Sequence, residues 1–235
     1  MKKNTLCFLL VVLFFSCKNT SQTNMYGVEQ VVLDSGNHSK GCLTQLNLTY
    51  EELLTVDQVA QIFLLDKAEV KTSLNDRNDE YGNVYYSWKS DRPDLSMTDN
   101  EHTQSPDDNF VGVSGLYAYN ENRSKQDIIS SFEMGYHQLS DAEFLAIDDN
   151  ELEDRRQPEK KVANQMLEAR KRNVFERVKD LGQSAFWKFH PQNGGELVVL
   201  FGNEKFSIYT KVSHEAEENL VWAKKLVQII LDQCH

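Results

Sequence analysis

Apolar residues fall along this chain in three patterns: one unbroken run near the start, stretches spaced by three and four, and short runs bounded by turn residues. The clearest helix start is LLTVDQVAQIF. Thr55 followed three residues later by Gln58 is a capping box, and Leu54 before the cap can staple onto Val59. Val56, Val59, Ala60 and Phe63 recur at i, i+3, i+4 and i+7, which predicts a short helix with one apolar face. AEVKTSLNDRNDEYGNVYYSWKSD predicts two strands around a polar turn, because Val84, Tyr85, Tyr86 and Trp88 suit a pleated, half-buried surface. Residues 92 to 109, RPDLSMTDNEHTQSPDDN, are acidic and carry Pro93 and Pro106, so they read as an exposed loop. FVGVSGLYAYN then predicts a strand. SKQDIISSFEMGYHQL predicts a helix with Ile128, Ile129, Phe132 and Tyr136 on one side.

KVANQMLEARKRNVFERVKDLG predicts a further helix, with Val162, Met166, Val174, Phe175 and Val178 as a rough stripe and Gly182 placed to end it. GELVVLFGNEKFSIYTKV has two apolar runs about GNEK, a β-hairpin pattern. Phe206, Ile208 and Val212 share one face of its second strand, and Leu197 to Phe201 is apolar throughout, as expected of a strand covered on both faces. Ser213 can cap the closing helix, HEAEENLVWAKKLVQIILDQC, whose inward positions are Leu220, Ala223, Val227, Ile230 and Cys234. Strands mixed with helices, ending in a hairpin and a packed helix, predict an α+β fold with an antiparallel sheet flanked by helices.

The unbroken run changes the picture from fold to address. MKK is followed by ten apolar residues, Leu6 to Phe15, the form of a secretory signal. As a helix rising about 1.5 Å per residue it reaches only about half of a hydrocarbon layer roughly 30 Å thick, so it does not read as a permanent span. It ends in LFFSC, directly before the polar KNTSQTN. This junction resembles the lipobox of bacterial lipoproteins over the first seventeen residues, although Leu13 to Phe15 is bulkier than the usual small residues. The resemblance implies cleavage between Ser16 and Cys17, a thioether-linked diacylglycerol on Cys17 and acylation of the new amino terminus. Several acyl chains at about 0.8 kcal/mol per buried methylene make a durable anchor. Lys18 stands where an inner-membrane lipoprotein commonly has aspartate. The resemblance therefore implies the outer membrane, and because KNTSQTN lacks the acidic cluster associated with surface export in some bacterial groups, the periplasmic face is expected. The expected organisation is a signal at 1–16, a lipidated flexible tether at 17–40 and a single α+β domain at 41–235.

Composition narrows the partners. The chain of 235 residues has a formal net charge of −11, and loss of Lys2 and Lys3 with the signal makes it more negative. That balance disfavours nucleic acid and electrostatic adhesion to anionic lipid, which leaves the acyl chains as the membrane link. Of four cysteines, Cys7 leaves with the signal and Cys17 would be acylated. Cys42 and Cys234 remain, either bridged, as an oxidising compartment permits, or as two separate buried thiols; the sequence leaves both open.

The order of LLTVDQVAQIF, DLGQSAFW, GGELVVLFGNEKFSIYT and the closing helix resembles bacterial lipoproteins with a PsbP-like α+β domain, over residues 41 to 235. The acidic insertion before Phe110 and the charged segment from Glu159 depart from a minimal version. The resemblance implies a binding or accessory protein and carries no catalytic residues.

Candidate chemistry is sparse. His38, His102, His137, His190, His214 and His235 form neither HxH nor HExxH, and none lies at metal-ligand spacing from a cysteine, so no metal or other cofactor is expected. GxSxG, SxxK and P-loop patterns are absent. Cys42 as a nucleophile would need an activating partner such as His137 or His190, and nothing selects one. DDNELED, Asp148 to Asp154, lacks the glycine and terminal glutamate of an EF-hand loop and reads as a solvated acidic loop. SAFWKFHP gathers Phe186, Trp187, Phe189 and His190, which either line a ligand groove or seal one end of the hairpin core, the second reading being favoured. The expectation is a non-catalytic, membrane-anchored envelope domain that binds a protein partner, with a small-ligand module near Trp187 as the alternative.

Overall fold

Seven strands among the described residues pair in the order β1-β2-β3-β7-β6-β5-β4, each antiparallel to its neighbours. They are β1 (Lys71–Asn75), β2 (Asn83–Trp88), β3 (Asn109–Ala118), β4 (Glu176–Val178), β5 (Ser184–His190), β6 (Gly194–Phe201) and β7 (Glu204–Lys211). The α-helices are α1 (Cys42–Gln45), α2 (Tyr50–Leu53), α3 (Val56–Phe63), α4 (Lys125–Tyr136) and α5 (Ala216–Leu231), followed by a 3-10 turn at Asp232–Cys234. The structure is a computed structural model that describes residues 41–75, 77, 80–92, 107–136 and 174–234. Cys17, the tether, the acidic run at 148–154 and His38, His102, His137 and His235 lie outside the described residues. The α+β class with an antiparallel sheet and a closing helix, expected from the sequence, is the observed one.

The central hairpin is buried on both sides. From β6, Leu197, Val199 and Phe201 join Phe206 and Ile208 of β7 and Ala223, Leu226, Val227 and Ile230 of α5 in the larger core. Tyr86, Val111, Leu54 and Val59 extend that core under α2 and α3. The alternate residues Val198 and Leu200 turn to the opposite face and pack with Phe186 against Ile128 and Phe132 of α4. Period-two alternation across a two-sided sheet thus requires an unbroken apolar run in β6. Gln58 and Thr55 make the predicted capping box, with Oε1 accepting from the Thr55 amide at 2.8 Å. Thr49 and Glu52 form a second box on α2.

Three sequence expectations are corrected. Glu176–Val178 is strand, not helix: it pairs with Ala185, Phe186 and Trp187 at the sheet edge, and Gly182, at φ +60, turns the chain into β5 instead of ending a helix. Val174, Phe175 and Val178 fit a helical stripe in sequence, but edge pairing decides the outcome. Residues 161–173 of that expected helix lie outside the described residues. Ser213 does not cap α5. Glu215 holds the N-cap position without a side-chain bond, and the fully buried Asn219 organises the entry instead. Its Nδ2 donates to the Ser213 and Glu215 carbonyls at 2.8 Å each, and its Oδ1 accepts from Val212 N at 2.9 Å.

The third correction concerns only the ends of the exposed loop expected at 92–109, because residues 93–106 lie outside the described residues. Asn109 already begins β3, and Asp107 is buried. The Lys211 ammonium lies 2.7 Å from Asp107 Oδ1, and Arg92 Nη1 lies 3.6 Å from its Oδ2. Arg92 Nη2 also donates to Asn109 Oδ1 at 2.7 Å and to the Lys211 carbonyl at 3.1 Å.

Cys42 and Cys234 are joined by a disulfide, with Cα atoms 5.8 Å apart. It ties α1 to the end of the closing helix. A second tie holds α1 from the hairpin: the Glu204 carboxylate, 2% exposed, accepts from Leu43 N at 3.0 Å, Thr44 N at 2.6 Å and Thr44 Oγ1 at 2.5 Å. Gly41, the N-cap residue, offers no side chain, so a distant glutamate supplies the acceptor that the first amides need. Glu204→Ala is expected to cost about 2 to 3 kcal/mol by stranding two amides, read as a lower midpoint in urea unfolding.

Leu64 ends α3 in the left-handed region, at φ 54 and ψ 44, with its side chain 93% exposed. The Cβ is strained there and the leucine gains no packing. Leu64→Gly is therefore expected to raise stability by about 0.5 to 1 kcal/mol, and an unchanged or lower thermal midpoint would contradict this reading.

Candidate functional site

The SAFWKFHP segment is strand β5, so its residues alternate between the two faces instead of lining one wall. Phe186 belongs to the core under α4, at 5.9 Å from Phe132 and 5.7 Å from Tyr136 between ring centroids. Trp187 faces the other way, into the larger core. Its indole lies against Gly195 of the neighbouring strand so closely that a Cβ there would come within 1.8 Å of the ring. Phe189 stacks beside it at 6.4 Å. Phe186 and Trp187 are thus core residues and Phe189 packs against the larger core beside Trp187, while Phe189 and the exposed His190 also border a cavity of about 440 Å³ at the turn between β5 and β6.

The polar residues of that cavity are positioned by strand register. Lys188 of β5 stands opposite Glu196 of β6, which stands opposite Tyr209 of β7; Gly112 of β3 and Tyr85 of β2 continue the row. Glu196 Oε2 lies 2.7 Å from Lys188 Nζ. Its Oε1 accepts from Tyr209 Oη at 2.9 Å and from Ser207 Oγ at 3.2 Å. The Lys188 ammonium also sits 4.7 Å from the centre of the Phe175 ring. Tyr85 meets the ring edges of Tyr209 at 5.6 Å and Phe110 at 6.3 Å. At the turn, His190 Nδ1 accepts from Gln192 N at 3.2 Å. Asn193 and the backbone of Gly194 and Gly195 complete the wall.

Electrostatics on this face favour neutral phenols. Burial, then the nearby Glu196 charge, pushes the Tyr209 phenol well above its usual range, and burial also raises Tyr85. Tyr136 is pushed up to about 12, first by burial and then by Glu196. A phenol with a raised folded pKa stabilises the fold fully below its unfolded value of about 10, and this contribution is lost as pH rises through the folded value. The urea midpoint is accordingly expected to fall between about pH 10 and 12, and a flat profile across that window would contradict the burial assigned to these rings.

Sequence reasoning selected Phe189 and His190 but missed Lys188, Glu196, Ser207 and Tyr209. The available signal was a charged residue, Glu196, at the head of an otherwise apolar strand. Its partners are one strand away on either side and share no local motif. Cys42 is bonded to Cys234, and neither has a thiol to act as a nucleophile. Among the described residues, no group of three or more His, Cys, Asp or Glu is placed to hold a metal ion, and no helix is long and apolar enough to cross a membrane. No family model, curated protein or solved structure matches the chain.

Proposed function

We propose that this chain is a lipid-anchored, non-catalytic envelope protein, acylated at Cys17 and held at the periplasmic face of the outer membrane, whose domain binds a protein partner as an accessory module. The observation that carries the reading is the Cys42–Cys234 bridge, because structural disulfides persist in exported proteins and are rare in reducing compartments. It accords with the signal-like start and the LFFSC junction. The buried charges serve the fold: Glu204 holds α1, and Asp107 holds Lys211 and Arg92. The resemblance to PsbP-like lipoproteins supports the same role. In cells, Cys17→Ser is expected to release the protein from the membrane fraction, and crosslinking of the acylated form followed by pull-down is expected to recover one defined envelope protein. Retention of the serine variant in the membrane would overturn the anchor, and recovery of the chain alone would overturn the partner.

A second reading rests on the cavity beside Lys188, Glu196 and Tyr209, whose volume of about 440 Å³ falls within the range of small-molecule sites. It sets a ligand at the β5–β6 turn, on the face of β5 that carries Lys188 and His190 and opposite the face of Trp187.

A further inference from the structure

The second reading leaves the ligand's chemistry open, and the groups in the cavity restrict it. Among the described residues, the two formally charged side chains that line the cavity, Lys188 and Glu196, pair across 2.7 Å. Neither is left as an isolated charge for an ionic ligand, and a monovalent ion would have to break that pair to bind. What remains is a mixed set of donors and acceptors. The Glu196 carboxylate accepts from two hydroxyls and an ammonium, and the Tyr209 oxygen, which donates to Glu196 and is hydrogen-bonded with Ser114, retains one lone pair. His190 and Asn193 also line the cavity, and their side chains carry further donor and acceptor groups. The space, about 440 Å³, is bordered by Tyr209 and Phe189.

Resting on the small-ligand reading, we infer that the cavity binds a neutral polyhydroxylated ligand, a mono- or disaccharide. A sugar hydroxyl both donates and accepts, so a ring of hydroxyls can satisfy Lys188, Glu196, Tyr209, His190 and Asn193 together without opening the ion pair. A polyanion meets Glu196 and a polycation meets Lys188, each at a repulsive cost. The chemistry is recognition alone, and no bond in the sugar is broken.

The test is calorimetric titration of the full chain with glucose, N-acetylglucosamine and maltose, and in parallel with citrate and spermidine. At least one sugar is expected to bind saturably, with an affinity that hardly changes when salt is raised, because no net charge is matched. Asn193→Ala, at the exposed turn, is expected to weaken that binding several-fold with an unchanged thermal midpoint. The double variant Lys188→Met, Glu196→Gln is expected to weaken it about tenfold or more. Sugar binding that ignores all three substitutions would place the ligand elsewhere and overturn the inference. Binding of citrate or spermidine in place of the sugars would overturn the ligand class while the groove reading stands, and silence from all five probes would remove both.

Discussion

Replacing Cys42 and Cys234 by alanine, or reducing their bridge, is expected to lower folding stability by about 5 kcal/mol, the largest single effect in the molecule. The bond links residues 192 apart in sequence, so nearly the whole domain lies inside the loop it closes. In the chain-entropy account the stabilisation acts on the unfolded chain, whose freedom grows with the logarithm of loop length. The native ends stay tied by weaker means when the bond is cut: Glu204 still holds the α1 amides, and Gln233 Nε2 still donates to the Leu53 carbonyl at 2.6 Å. The folded architecture is thus expected to survive reduction at low temperature while its urea midpoint drops steeply. An ordinary domain has about 5 to 15 kcal/mol in total, so the reduced form is expected to be marginal at physiological temperature. Urea unfolding with and without reductant measures this, and coincident curves would contradict a structural role for the bridge.

Asp107→Ala is expected to cost about 3 to 5 kcal/mol. The aspartate side chain is 11% exposed and stands between Lys211 at 14% and Arg92 at 18%, so its removal leaves two cations half out of water with no carboxylate between them. Burial already lowers the Arg92 pKa, and Asp107 and then Glu218 are the charges that oppose this. Reduction of the cluster to apolar residues together, as in Arg92→Met, Asp107→Leu, Lys211→Met, is expected to cost much less than the single change. A buried ion pair loses most when one partner is left behind. Comparison of the two variants by denaturant unfolding checks the claim, and equal losses would contradict it.

Legibility in the sequence followed the range of the forces involved. Helix α3 was readable because its capping box, staple and apolar spacing are all local. The β6–β7 hairpin was readable because GN separates two runs whose alternation fits the sheet. Edge strand β4 was not, since three residues hold no period of their own and take strand form only by pairing with β5. The aromatic cluster of β5 was visible, but its division between two faces required knowing that it is a strand. The Lys188–Glu196–Tyr209 row comes from register across three strands, a relation that no window along the chain contains. Likewise, Asn219 and Glu204 act on backbone amides that a sequence pattern does not reveal, one at a helix entry and the other 160 residues away.

The anchor and the bridge are two consequences of one claim, that this domain leaves the cytoplasm by a lipoprotein route. Intact-mass analysis of the protein extracted from membranes, without reductant, reads both at once. The account predicts a chain that begins at Cys17, carries a diacylglyceryl group and an amide-linked acyl chain, and takes up no thiol-alkylating reagent until it is reduced. A chain with an unmodified amino terminus, or one whose Cys42 and Cys234 alkylate freely, would contradict it.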